Sequence, residues 1–283
     1  MTQRIVVIGA GTMGRGIAQI AAIQGLDTCL CDVDSDVLAA ARKAIDASVQ
    51  KGIARGKTPP EAADKVAASL RADTSLASAV EGADFVIEAV PEHLDLKKKI
   101  FGDVASHAPQ GAILASNTSS LPVTELAASV PRPEQFIGMH FFNPVPIMAL
   151  VEIVRGLATS DETADATRAL TEALGKEPIV VQDSPGFATS RLGLVIGLEA
   201  IRMLEAGVAS PEEIDKAMEL GYRHPMGPLR LTDLVGLDVR LAIAEHLHRE
   251  IGEQFRPPAL LRKMVRAGRL GKKSGRGFYD WTD

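Results

Sequence analysis

The chain has 283 residues, 46% of them hydrophobic and 24% charged, with a net charge of -5 at pH 7. That length suits one large domain or two medium ones, and the usage is that of an ordinary globular protein without low-complexity segments or short internal repeats. The acidic balance argues against nucleic acid as a partner. No apolar run approaches the roughly 18 residues that suggest a membrane span.

The first apolar run, RIVVIG, begins at Arg4. It leaves no room for a secretory leader, so a cytoplasmic location is expected. A β-branched run, a Gly- or Asp-marked turn and a helical period then recur. RIVVIGAG leads to a helix over about 13–24, TCLCDVD to one over 35–50, and ADFVIEAV to one over 93–107. AILASN (112–117), QFIGMHF (135–141), ALVEIV and PIVVQD (178–183) supply further strands. The alternation predicts an α/β class with a doubly wound, mostly parallel sheet. Within it, GKTPPEAADKVAAS reads as the turn of a helical-hairpin insertion over about 45–71, because Pro59 and Pro60 stop one helix and Glu61 opens the next. Cys29 and Cys31 lie two apart on one strand face and read as two small buried hydrophobes, since their spacing fits neither a zinc knuckle nor a redox pair.

After DSPGF the strand pattern stops, and helices are expected over 188–206, 211–219, 228–251 and 258–267. The domains are therefore placed at 1–184 and 185–283, the second all-helical. The helix from 188 is apolar nearly all round, so it is covered on several sides. A homodimer interface is expected on one of them, although a central place in a monomeric bundle also fits.

GAGTMG places Gly9, Gly11 and Gly14 in the GxGxxG spacing, with Thr12 and Met13 between, after a strand and at the start of a helix. In that context the first glycine allows a tight turn, the second lets backbone approach a pyrophosphate and the third lets helix pack on strand. Asp32 follows at the end of the second strand, where a carboxylate receives ribose hydroxyls and repels a 2′-phosphate. The cofactor expected is NAD rather than NADP. The other reading of Asp32 is an N-cap of the next helix.

HFFNPVPIMALVE puts His140 and Glu152 at equal distances from Pro146. If the segment folds back there, antiparallel geometry sets the two side chains opposite each other. A carboxylate partner fixes the imidazole tautomer and favours its protonated form. Such a pair suits the base that takes a hydroxyl proton as a hydride leaves. A purely structural pair is the alternative. His93, His107, His246 and His248 do not converge, and no metal site is expected.

GAGTMGRGIAQIAA, EAVPEHLDLKKKIF, ASNTSSL, HFFNPVP, LVEIV and GKKSGRGFYDW together resemble the short-chain 3-hydroxyacyl-CoA dehydrogenases over essentially the whole chain. The resemblance implies a Rossmann domain, oxidation of an acyl-CoA thioester from 3-hydroxy to 3-oxo, His140 as base and Glu152 as its partner. It implies that Ser119 bonds the reacting oxygen, Asn143 contacts cofactor or substrate, Glu92 and Lys97 lie by the nicotinamide ribose, and Lys273 closes over the site. Lys51 and Arg55, on the insertion, would face the coenzyme A phosphates.

Ordinary explanations stand beside these. Ser119 and Ser120 read equally as caps of a turn, and Lys97 to Lys99 as a solvated helix face. The family's usual asparagine after Gly-Phe is Ser190 in GFATSR, a shorter side chain with fewer hydrogen-bonding atoms. That departure keeps open a related sugar-acid dehydrogenase of the gulonate type. A non-catalytic NAD-binding or structural protein is the third reading.

Overall fold

RIVVI forms a strand because every side chain after Arg4 is buried from both faces, as in the middle of a parallel sheet. The computed structural model describes residues 3–281, and the chain divides into two compact units, 1–184 and 185–283.

In the first unit the elements run β1 (Arg4–Ile8), α1 (Thr12–Ile23), β2 (Asp27–Cys31), α2 (Ser35–Ala54), α3 (Ala62–Ser69), β3 (Leu70–Asp73), α4 (Leu76–Val80), β4 (Phe85–Glu88), α5 (Leu94–His107), β5 (Ile113–Ser116), α6 (Val123–Ala127), β6 (Phe136–Phe141), β7 (Leu150–Arg155), α7 (Asp161–Ala173) and β8 (Glu177–Gln182). The eight strands form one sheet in the order β3-β2-β1-β4-β5-β6-β7-β8. All neighbouring pairs are parallel except β6 with β7. The order from β3 to β6 is that of the doubly wound dinucleotide fold, in which the connection reverses between β1 and β4 and ligands gather at the carboxyl ends of those strands.

α2 and α3 form a helical hairpin whose first arm is the helix following β2 itself, unbroken from Ser35 to Ala54, so no boundary stands at the expected start near 45. Leu38, Ala41, Ile45 and Val49 give α2 its buried stripe. The hairpin ends two residues before the expected 71, because Leu70 and Arg71 already belong to β3. That strand escapes sequence reading because LRAD is an edge strand without apolar alternation. α7 escapes it too, since its buried face is largely threonine: Thr163, Thr167 and Thr171. Thr167 and Thr171 donate their hydroxyls to the carbonyls one turn back at 2.7 and 2.8 Å, which lets polar side chains stay inside. Cys29 and Cys31 are buried on β2, and burial first, then the neighbouring Cys29, pushes the Cys31 thiol up to about 12.

The second unit comprises α8 (Thr189–Glu205), α9 (Pro211–Gly221), α10 (Pro228–Val235), α11 (Leu237–Glu250) and α12 (Ala259–Arg266). Leu194, Leu198, Ile201, Leu229, Leu237, Leu247 and Leu261 form its core. The single helix expected over 228–251 is two. Gly236, at φ +103°, separates them in a conformation side chains rarely adopt. The C-terminal segment is fastened to α10 by Asp233, a fully buried carboxylate that accepts from Phe278 N (2.9 Å), Tyr279 N (2.9 Å) and Trp281 Nε1 (2.8 Å). Among the described residues no helix is long and apolar enough to cross a membrane.

Candidate active site

The carboxyl ends of β1, β4, β5 and β6 gather most of the sequence-selected residues of the first unit. Behind β1, Gly9 takes φ +97°, and a Cβ there would stand 2.9 Å from the Ala89 carbonyl oxygen. A Cβ on Gly14 would lie 1.7 Å from the Gly9 oxygen, so the third glycine is fixed by helix-on-turn packing. Gly11 differs: a Cβ would meet nothing within 4 Å, so its smallness leaves open space beside the helix start. Gly11 is the N-cap of α1 and offers no side-chain cap. The first amides and the positive end of the helix dipole are thereby left to suit an anion such as a pyrophosphate. Met13 packs partly on the core and Thr12 is exposed.

Asp32 follows β2. Its Oδ2 accepts from Ala10 N at 2.8 Å and its Oδ1 from Asp34 N at 3.2 Å. The cap of α2 is Asp34, whose Oδ1 accepts from Asp36 N and Val37 N. The N-cap reading of Asp32 is thus incorrect. Asp32 braces the glycine loop, which places a carboxylate beside it. Gly11, the uncapped α1 and Asp32 together fit NAD.

At the end of β4 the structure brings in a residue that sequence reading missed. Glu88 and Lys97 are both fully buried, and Lys97 Nζ lies 2.7 and 2.9 Å from the two Glu88 oxygens. Lys97 is therefore no part of a solvated face. Glu88 also accepts from Ser116 Oγ (2.7 Å) on the adjoining strand and from Val90 N (2.7 Å). A charged residue inside the run FVIEAV was the available signal. Lys97 approaches Glu92 at 3.3 Å as well.

Glu92 organises the SNTSS turn. One of its oxygens accepts from Thr118 Oγ1 (2.6 Å), Ser119 N (2.8 Å), Ser119 Oγ (3.2 Å) and Ser120 N (3.1 Å). Burial by itself raises this carboxyl, but the Lys97 charge and the bonds from Thr118 and Ser119 outweigh it and hold Glu92 below the usual carboxylate range. The turn-closing hydroxyl is that of Thr118, which accepts from Leu121 N at 2.8 Å and Ser120 N at 3.2 Å. Ser119 itself is exposed. Asn117 Oδ1 accepts from Phe141 N at 3.0 Å and so ties this turn to the residue after His140.

His140 on β6 and Glu152 on β7 are register partners across the antiparallel pair. His140 Nδ1 lies 2.7 Å from Glu152 Oε2. A carboxylate only accepts, so Nδ1 carries the proton and Nε2 is the basic nitrogen of the neutral ring. Glu152 is fully buried and His140 is 7% exposed. The Phe142 ring packs on the imidazole with centroids 4.4 Å apart.

Asn143 begins the proline loop joining these strands. With Pro144, Val145, Pro146 and Ile147 it lines a cavity of about 280 Å³ against Thr12 and Arg15 of α1 and Ser48 of α2. Lys51 and Arg55 lie exposed at the end of α2. Three and seven residues beyond Ser48, they share its helix face. In the second unit, Ser190 is half-buried in the first turn of α8. Lys273 donates to Asp238 Oδ2 at 2.6 Å.

Comparison with known proteins gives the family. A family model described as "3-hydroxyacyl-CoA dehydrogenase, NAD binding domain" matches residues 4–184, and one described as "3-hydroxyacyl-CoA dehydrogenase, C-terminal domain" matches 186–281. A "Probable 3-hydroxybutyryl-CoA dehydrogenase" of Bacillus subtilis is 48% identical, with 99% of this chain and 98% of that protein covered. A 3-hydroxybutyryl-CoA dehydrogenase of Bradyrhizobium diazoefficiens is 43% identical, with 99% and 95% covered. The crystal structure of (S)-3-hydroxybutyryl-CoA dehydrogenase from Ralstonia eutropha superposes with a TM-score of 0.96 at 44% identity, both chains covered in full. With both halves matched and relatives of this similarity along its length, the chain belongs to the 3-hydroxyacyl-CoA dehydrogenase family.

Proposed function

We propose that the protein is an NAD-dependent dehydrogenase of short-chain 3-hydroxyacyl-CoA thioesters, such as 3-hydroxybutyryl-CoA, working reversibly. Family membership supports the reaction class, and the observation that carries the chemistry is the buried 2.7 Å contact between His140 Nδ1 and Glu152. His140 Nε2 takes the proton of the substrate C3 hydroxyl. Glu152 holds the ring through Nδ1–H and stabilises the imidazolium that forms. In the reverse direction the same nitrogen returns the proton to the 3-oxo group. When bound, NAD supplies the acceptor for the hydride leaving C3.

Gly9, Gly11, Thr12, Met13, Gly14 and Asp32 hold the cofactor's adenosine and pyrophosphate in this reading, and Glu92 its nicotinamide ribose, while the fully buried Lys97 acts only through Glu92. Ser119 bonds the reacting oxygen, and Asn143 contacts substrate or cofactor. The cavity behind Asn143 receives the coenzyme A portion, supported by the Ser48–Lys51–Arg55 face of α2, which brings two cations to the phosphates. For Ser190 and Lys273 the roles implied by the resemblance, substrate and cofactor contact, form part of the same proposal. A homodimer paired through the second unit is also proposed, supported by Leu192, Leu220 and Tyr222, which are 62%, 72% and 77% exposed.

Ser190 in place of asparagine favours one rival, a sugar-acid dehydrogenase. NADH consumption is followed with acetoacetyl-CoA, with a keto sugar acid and with no added substrate. Turnover restricted to the thioester is expected. Turnover restricted to the sugar acid overturns the proposal, and so does inertness toward both.

A further inference from the structure

Lys176 stands immediately before β8 and is 8% exposed. Its ammonium donates to the carbonyls of Val145 at 2.6 Å and Met148 at 2.8 Å. One buried cation thus reaches two points of the proline loop between His140 and Glu152. Burial lowers the Lys176 ammonium from the usual lysine range, so its charged form is held here against a desolvation cost that a neutral donor would avoid.

The loop has little else to fix its middle. Of residues 143–149 only Val145 is buried. Val145 packs on α1 at Gly16, where a Cβ would stand 2.8 Å from the valine Cβ. The amides of Ile147 and Met148 both donate to Pro144 O, which closes the turn on itself, and Glu177 N donates to Ala149 O, which fixes its far end. Asn143 to Ile147 form one wall of the cavity, and Thr12, Arg15, Gly16 and Gln19 of α1 form part of the other. A small displacement of the loop therefore changes the cavity width and moves Asn143. It leaves His140 and Glu152 in place, because both belong to the β6–β7 ladder.

We propose that Lys176 is a positioning residue for the reaction, setting the Asn143–Met148 loop against α1 and with it the width of the cavity that receives the acyl-CoA substrate. This inference rests on the reading of that cavity as the substrate's coenzyme A site.

The test compares wild type, Lys176→Met and Lys176→Arg, with thermal melts to establish folding and steady-state kinetics on acetoacetyl-CoA and NADH over a range of pH. Wild-type turnover of acetoacetyl-CoA checks the functional reading independently, and its absence refutes that reading whatever the variants do. Given that turnover, Lys176→Met is expected to raise KM for acetoacetyl-CoA about tenfold, with kcat within about threefold of wild type and the shape of its pH profile unchanged. Lys176→Arg, which keeps a charged donor, is expected to recover part of the KM. A lower melting temperature with KM within twofold of wild type in both folded variants overturns the proposal and leaves Lys176 a structural tether. A kcat loss with a shifted pH profile also overturns it, by placing the effect on His140. If neither variant folds, Lys176 is a requirement of stability, and the positioning role is refuted.

Discussion

Glu88 and Lys97 face each other without solvent exposure, Nζ lying 2.7 and 2.9 Å from the two carboxylate oxygens. Removing one partner leaves a buried charge unpaired. Lys97→Met is expected to cost about 3–5 kcal/mol, whereas the double variant Glu88→Gln, Lys97→Met recovers part of that loss. Urea unfolding of the singles and the double checks this. Additive losses would show that the two residues do not act as a pair.

His140→Gln is expected to lower kcat by about two to four orders of magnitude, the usual contribution of a general acid–base group. NAD affinity should survive, because the glycine loop lies on β1 and α1. Glu152→Gln should also lower kcat, since an amide can present N–H to Nδ1 and does not stabilise an imidazolium. Steady-state kinetics with a separate measurement of NAD binding checks both; unchanged kcat in the two variants removes the pair from the mechanism.

Glu92 sets a pH dependence. Its carboxyl is held below its usual value of 4.5 in the folded protein, so the unfolded chain binds the proton more readily. The stabilisation is complete above that usual value and is lost as pH falls through the lower folded one. Melting temperatures between pH 6 and pH 3 should therefore fall more steeply for wild type than for Glu92→Gln. Parallel curves would count against this role of Glu92.

Lys51 and Arg55 are expected to act on the coenzyme A phosphates. Neutralising both should raise KM for acetoacetyl-CoA more than for a truncated pantetheine thioester that lacks those phosphates. Equal effects on the two substrates would return the pair to a solvated helix end.

Asp233→Ala strips a buried carboxylate from two amides and the Trp281 indole. The Arg230 guanidinium lies over the Tyr279 and Trp281 rings at 4.7 and 5.4 Å, so the released tail also loses its stacking. Trp281 is the single tryptophan of the chain, and its emission reports docking directly. A red-shifted emission and a stability loss on the order of 3 kcal/mol are expected. An unshifted spectrum would show that the aromatic contacts dock the tail without Asp233.

The glycine turn was legible because its constraints are local. Gly9, Gly11 and Gly14 answer to a turn and a helix start within six residues, and the apolar run before them is what a doubly covered strand requires. The opposition of His140 and Glu152 was legible for a similar reason. Two arms of equal length about one turn, with a side-chain period of two, leave little freedom in register. The cysteines, buried on one strand, followed from the same periodicity.

Tertiary structure alone decided what joins one strand to another. Glu88 meets Ser116 across 28 positions, Asn117 meets Phe141 across 24, and Lys176 reaches Val145 across 31. Local propensity carries no information about which strands become neighbours. Until β4, β5 and β6 lie side by side, Glu88 is a charge in an apolar run and Lys97 one of three lysines on a helix. The same limit hid α7, where Thr163 donates to Glu134 O across 29 positions while Thr167 and Thr171 bond their own helix, and the break at Gly236. Sequence by itself determined the fold class, the cofactor and the opposition of His140 to Glu152, because each rests on contacts within a short stretch of chain. Packing decided which charges are buried together, as Glu88 is with Lys97, because a desolvated ion is tolerable only where the assembled sheet brings its partners to it.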